Sequence, residues 1–169
     1  MLTASCPELL SEEMVRRTMT GLSQQAVEKI DRTRSVAGAA LSALLHAEPP
    51  VPRVPQRDAV VDILPAGVCA SINWGSERET LPRLSRLLAL ATYRPAVLLG
   101  LLVSAGGITE RLVQQAGAQL QRHLRHLQPA ERAQFVREVA AVMERHRRQD
   151  RVTLSVIRAL EPLLNCGQL

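Results

Sequence analysis

Apolar residues recur along this chain at helical spacing, three or four apart, and no stretch alternates over the length of a strand. Ser11 suits a helix N-cap, and Glu12 and Glu13 suit a first turn, where the helix dipole is positive. The stripe Val15, Met19, Leu22 and Ala26 follows, and Gly21 or Ser23 is expected to turn the chain into a second helix. That helix carries Val27, Ile30, Arg34, Ala37, Leu41 and Leu44 on one line, and Pro49 and Pro50 stop it near Ala47. Pro49 to Pro55 has no helix period and reads as a stiff, extended connector. Its PxxP-like spacing would also suit a proline-recognition module. A short helix is expected over 58–64. The stretch 65–80 reads as irregular and holds Trp74, and periodicity returns at Leu81, Leu84, Leu87 and Leu88.

The second half is more regular. Pro95 sits where a first helical turn accepts proline, Val97, Leu98, Leu101 and Leu102 form an inward face, and Gly106-Gly107 ends the helix. Thr109 caps the next, with Val113, Ala116, Leu120, Leu124 and Leu127 inward. Pro129 starts another, with Phe135, Val139, Val142 and Met143 inward. Asp150 caps the last, with Val156, Ile157, Leu160, Leu163 and Leu164 inward and Pro162 set to kink or end it. Three antiparallel pairs result, near 12–46, 93–127 and 130–164, and the last two repeat at a spacing close to that of helical solenoids. The expected division is a helical hairpin over 1–47, a Pro-rich and irregular segment over 48–80, and helical repeats over 81–169.

Composition agrees with an all-α fold. The chain has 169 residues, 46% of them hydrophobic, enough for one core. Trp74, Tyr93 and Phe135 are its three aromatics, too few for the strands of a sandwich or barrel. Cys6, Cys69 and Cys166 are widely separated and form no CxxC, so they read as reduced thiols. No signal peptide is evident, and the greasiest run, 96–105, is about half a membrane span and broken by Gly100 and Ser104. Membrane insertion is not expected.

Charge adds a direction. The net charge is +5, and Lys29 is the only lysine among 21 cationic side chains. Ten arginines lie between Arg111 and Arg158 against Glu131, Glu138, Glu144 and Asp150. Arg122, Arg125, Arg145, Arg147 and Arg148 are the candidate docking residues for an acidic protein surface. The alternative is a solvated face with local pairs such as Glu144–Arg148. Trp74 has two readings, a plug over the core or an interface anchor. His123 and His126, three apart, could share a metal with His146 or Cys166, or simply face solvent among the arginines. Ser104 to Gly107 lacks the phosphate-loop pattern and reads as a helix end. No nucleophile elbow, HExxH or paired carboxylates in an apolar pocket occur, so the chain reads as non-enzymatic and without a cofactor. The arginine excess also admits an Arg-rich helical-repeat module that binds nucleic acid, although there are few aromatics to stack on bases and no recognition motif.

Particular stretches carry more than pattern. DRTRSVAGAALSALL at Asp31 to Leu45 resembles the second helix of a HEAT-type repeat, with an acid at the start, an arginine three residues on, and small and aliphatic residues inward. GLSQQAVEKIDR at Gly21 to Arg32, PPVPRVPQRD at Pro49 to Asp58, SINW at Ser71 to Trp74 and TYRPAVLLGLLVSAGGITE at Thr92 to Glu110 occur in that order. Together they resemble the C-terminal part of the tubulin-folding cofactor D family, from about Met14 to Gly167. The resemblance implies a HEAT/armadillo-like α-solenoid fragment that binds β-tubulin during assembly and disassembly of the αβ-tubulin heterodimer. It implies work with tubulin-folding cofactors C and E and an ADP-ribosylation-factor-like small GTPase, and stimulation of tubulin GTP hydrolysis by the assembled cofactors. It implies a cytoplasmic protein of the microtubule cytoskeleton, with centrosomal and cell-junction association. Members of the family are far longer than this chain, and the arginine-rich 121–148 region matches least well. The resemblance transfers no catalytic, metal or cofactor residue here.

Overall fold

Ser11 starts the first helix as its side chain suggests, its Oγ accepting a hydrogen bond from the Met14 N–H at 3.1 Å. In the computed structural model, which describes residues 10–165, α1 runs Glu12–Gln25 and α2 runs Asp31–Leu45. The turn between them falls at 26–30, later than Gly21 or Ser23. Ser23 stays inside α1 because its buried Oγ donates to the Met19 carbonyl four residues back, 2.8 Å away. Val27 and Ile30 therefore precede α2 and do not share its stripe: Val27 is buried in the turn, whereas Ile30 is exposed. Arg34, Ala37 and Leu41 are buried on the expected line, extended by Leu45.

The segment 48–80 is more ordered than its composition suggests. Arg53 and Gln56 adopt left-handed backbone (φ 59° and 49°), and Val51 and Val54 turn into the core. The Tyr93 hydroxyl donates to the Pro55 carbonyl at 2.9 Å, Arg57 to the Leu45 carbonyl at 2.7 Å, and Arg53 to the Leu10 carbonyl at 2.9 Å. The proline run is thus pinned at three points rather than standing off as an extended spacer. Two short helices follow, α3 (Arg57–Ile63) and α4 (Ala66–Ser71), the second inside the stretch read as irregular. Then α5 (Glu77–Leu84) tightens into a 3-10 helix over Ser85–Ala89, burying Leu81, Leu84, Leu87 and Leu88.

The remaining helices are α6 (Arg94–Ala105), α7 (Glu110–Arg125), α8 (Pro129–Arg145) and α9 (Asp150–Asn165). The apolar α6 is the central element and packs on α1, α7 and α9. Val97, Leu98, Leu101 and Leu102 have no solvent exposure. Glycine is needed where neighbours come closest: a side chain at Gly100 would meet Val27 and the Gln24 carbonyl, and one at Gly106 the Ser155 backbone of α9. The Ser104 hydroxyl donates to the Val27 carbonyl at 2.7 Å, tying α6 to the α1–α2 turn.

Two inward faces are rotated from expectation. In α7, Leu112 is buried and Val113 only partly so. In α9, Val156, Ala159 and Leu163 face the core, while Ile157 and Leu164 are about half exposed. Asp150 is the first residue of α9 rather than its cap. Pro162 does not end α9, which continues to Asn165. The carbonyl its missing N–H leaves unpaired belongs to Arg158, and both residues are exposed, so water can satisfy it. The architecture is an all-α stack of helix pairs, a helical-repeat solenoid fragment, with no strand among the described residues. Cys69 is a buried free thiol; Cys6 and Cys166 lie outside the described residues.

Candidate protein-docking surface

The arginines follow from the ends of α7 and α8. A helix C-terminus leaves carbonyls unpaired and partly negative, so cations collect there. Arg122 and Arg125 occupy the last turn of α7; Arg145 ends α8, and Arg147 and Arg148 follow it in the turn to α9. All five are exposed. They do not form one patch. α8 has 17 residues and is therefore about 25 Å long, with Arg122 and Arg125 just before its start and Arg145, Arg147 and Arg148 at its far end. The local pair at that far end joins Glu144 to Arg147 (3.2 Å), three residues on, rather than to Arg148. Both partners are exposed, so the pair adds little stability.

Trp74 is enclosed. Only 8% of it is exposed, and its indole lies on Gly38 of α2, where a side chain would collide with the ring. The loop around it is clamped from both sides. Arg34, itself 3% exposed, donates to the carbonyls of Gly75 (2.6 Å) and Glu28 (2.9 Å), with Glu77 3.8 Å away. Burial lowers the Arg34 pKa, and Glu77, Asp31 and Glu28 oppose that. Thr80 Oγ1 donates to the Trp74 carbonyl at 3.1 Å. An indole so enclosed acts as a plug and is not presented to a partner.

His123 and His126 also separate in role. His126 is exposed, while His123 tilts against Phe135, ring centroids 6.2 Å apart, and is only partly exposed. Burial lowers the His123 pKa, reinforced by Arg94 and His126 and opposed by Glu138 and Glu131. His146 lies just past the far end of α8 and pairs with Gln149 at 3.0 Å, a helix length from His123. Among the described residues no three histidine, cysteine or carboxylate side chains gather for a metal, and the suggested Cys166 lies outside them.

Sequence reasoning overlooked a cleft of about 670 Å³ where the 3-10 helix, α6, α7 and the start of α8 meet. Arg86, Arg94, Arg122, His123 and His126 line it, with Glu131 the one carboxylate. Ile63, Pro82, Ala89 and Leu127 supply apolar wall. Arg94 is held by the Leu88 carbonyl (2.8 Å) and Glu138 (3.5 Å). Glu131 is engaged at the start of α8, accepting from the Gln128 N–H at 2.8 Å. Arg86 and Arg122 are 36 positions apart, and no local pattern in the chain links them.

No helix among the described residues is long and apolar enough to cross a membrane. No solved structure matches the chain. A tubulin-specific chaperone D from Dictyostelium discoideum is 26% identical over 133 residues, covering 78% of this chain and 9% of that relative. The chain thus corresponds to less than a tenth of the curated relative's length. Residues 16–169, nearly the whole chain, match the family described as the C terminal of tubulin folding cofactor D. A helical-repeat stack whose GLSQQAVEKIDR turn, SINW plug and Gly-Gly helix end all fall within that match belongs to the tubulin-folding cofactor D C-terminal family.

Proposed function

We propose that this chain is a non-catalytic, protein-binding part of a tubulin chaperone, contacting β-tubulin while the αβ-tubulin heterodimer is assembled or taken apart. In this reading it works beside cofactors C and E and an ADP-ribosylation-factor-like small GTPase, and contributes to stimulated GTP hydrolysis only within that assembly. Its place is the cytoplasm, with the centrosome and cell junctions as further sites. The observation that carries the reading is the family match across residues 16–169. Physical support comes from the fold: stacked helix pairs offer an extended surface for a protein partner. Exposed arginines at both ends of α8 suit an acidic one.

The test is co-purification of the 169-residue chain with β-tubulin over a salt titration, with RNA offered in parallel. Capture of tubulin that weakens as salt rises supports the reading. Retention of RNA without tubulin overturns it in favour of nucleic-acid binding.

A further inference from the structure

The cleft between the 3-10 helix, α6 and α7 differs from the arginines at the far end of α8 because its cations line one concavity, and from the concavity lined by Arg32, Arg78 and Arg111 because Asp31 and Glu77 share that one. Its single carboxylate, Glu131, is already engaged by the Gln128 N–H, and Arg94 is fixed by Glu138 and the Leu88 carbonyl. Arg86 and Arg122 are exposed, and among the described residues neither has a carboxylate within ion-pair distance. Two guanidinium groups thus stand on a common rim with their donors unmatched by any acid, and guanidinium is the side chain best shaped to grip carboxylates. The wall beneath them is aliphatic: Ile63, Pro82, Ala89 and Leu127.

We infer that this cleft is a docking site for an acidic peptide segment of a partner protein, in which glutamate or aspartate carboxylates meet Arg86 and Arg122 and an intervening aliphatic side chain rests on Leu127 and Ile63. The volume, about 670 Å³, is far larger than a single anion needs, and the apolar wall has no use for one. A peptide is favoured over nucleic acid by the aliphatic wall, since the lining contains no phenylalanine, tyrosine or tryptophan and offers a base only histidine rings and guanidinium planes to stack on. The inference shares Arg122 and the sign of the partner's charge with the tubulin reading, and the experiment below tells the two apart.

The test uses the whole 169-residue chain and a short fluorescein-labelled peptide alternating Glu and Leu, followed by fluorescence anisotropy. Two charge-reversal pairs are compared, Arg86→Glu with Arg122→Glu in the cleft, and Arg147→Glu with Arg148→Glu beyond the far end of α8. The cleft pair is expected to weaken binding by roughly tenfold or more and the distal pair by less than about twofold. Circular dichroism confirms that both variants keep their helix. If the cleft reversal unfolds the chain, Arg86→Gln with Arg122→Gln replaces it, with the same expected ordering. Equal losses from the two pairs, or equal affinity for a peptide alternating Gln and Leu, would overturn the inference. An oligouridylate that binds more tightly and is lost with the cleft pair overturns it in favour of nucleic acid. Co-purification with β-tubulin on the same variants separates the two readings. Tubulin capture unaffected by the cleft pair, together with equal peptide loss in both pairs, sinks the cleft alone. Peptide binding in the cleft without tubulin capture sinks the tubulin reading alone.

Discussion

Gly38 shows how one residue can position a whole loop. It sits mid-helix, where glycine costs about 1 kcal/mol relative to alanine, yet the face it leaves bare receives the Trp74 ring. Gly38→Ala should raise intrinsic helix propensity and still destabilise, by about 1–3 kcal/mol, because the added methyl meets a ring held by the Arg34 and Thr80 clamps. Trp74 is the only tryptophan, so its emission reports directly: a red shift and a lower melting temperature are expected. An unchanged spectrum with higher stability would show that the indole is free to move aside. His123 gives a pH dependence at the same scale. Its folded pKa lies below the ordinary 6.5, first through burial and then through Arg94, with His126 adding and Glu138 and Glu131 opposing. As pH falls, the unfolded chain takes that proton first. Stability present above pH 6.5 is therefore lost between there and the lower folded value, and levels off below it. Melting temperatures between about pH 7.5 and about pH 5.5 should fall less in His123→Gln than in the parent. Equal slopes would assign the loss to other groups.

Helix ends decide the elements. α8 begins with a reciprocal cap in which the Gln128 side chain accepts from the Glu131 backbone and the Glu131 carboxylate accepts from the Gln128 N–H at 2.8 Å. Pro129 at the first helical position sets the backbone for it. Gln128→Ala should cost about 0.5–1 kcal/mol, and Gln128→Ser should restore most of it, read as the urea midpoint at constant slope. A Gln128→Ala midpoint equal to the parent's would mean that α8 is held by packing alone. The α1–α2 turn teaches the opposite lesson. Gly21 and Ser23 are its local punctuation, yet the helix passes through both and breaks at 26–30. There the Glu28 carbonyl accepts from Arg34 in the next helix and the Val27 carbonyl from Ser104 of α6, so a contact distant in sequence helps place the turn.

At the scale of the molecule, the outer side of α8 and α9 is unusually apolar. Leu154, Ile157 and Leu164 on α9 and Val136 on α8 are each about half exposed. The three on α9 are spaced three and seven apart and so share one face of that helix. A solenoid buries such faces against neighbouring helices, and nothing among the described residues covers this one. The chain should therefore self-associate as concentration rises, and Ile157→Glu with Leu164→Glu should suppress it, since both positions tolerate charge. Light scattering that finds the parent a clean monomer at high concentration removes this expectation.

Periodicity alone determined the helical class, the inward line of α2 from Arg34 to Leu41, the α6 core and the Gly-Gly helix end. Each follows from backbone hydrogen bonding and burial within one turn or two. The stretches GLSQQAVEKIDR to TYRPAVLLGLLVSAGGITE carried the family. Tertiary structure decided the rest. It turned the α9 face so that the Ser155 backbone lies against Gly106, with Ala159 buried and Ile157 half exposed, a choice made by close approach of two backbones rather than by hydrophobicity. It buried Trp74, ordered the proline run through Tyr93, and divided the candidate arginines between the two ends of α8. It also gathered Arg86, Arg94 and Arg122 around one cleft. Charge on a surface leaves no local periodic trace. Only the packing of α6, α7 and the 3-10 helix could bring those three arginines to one cleft.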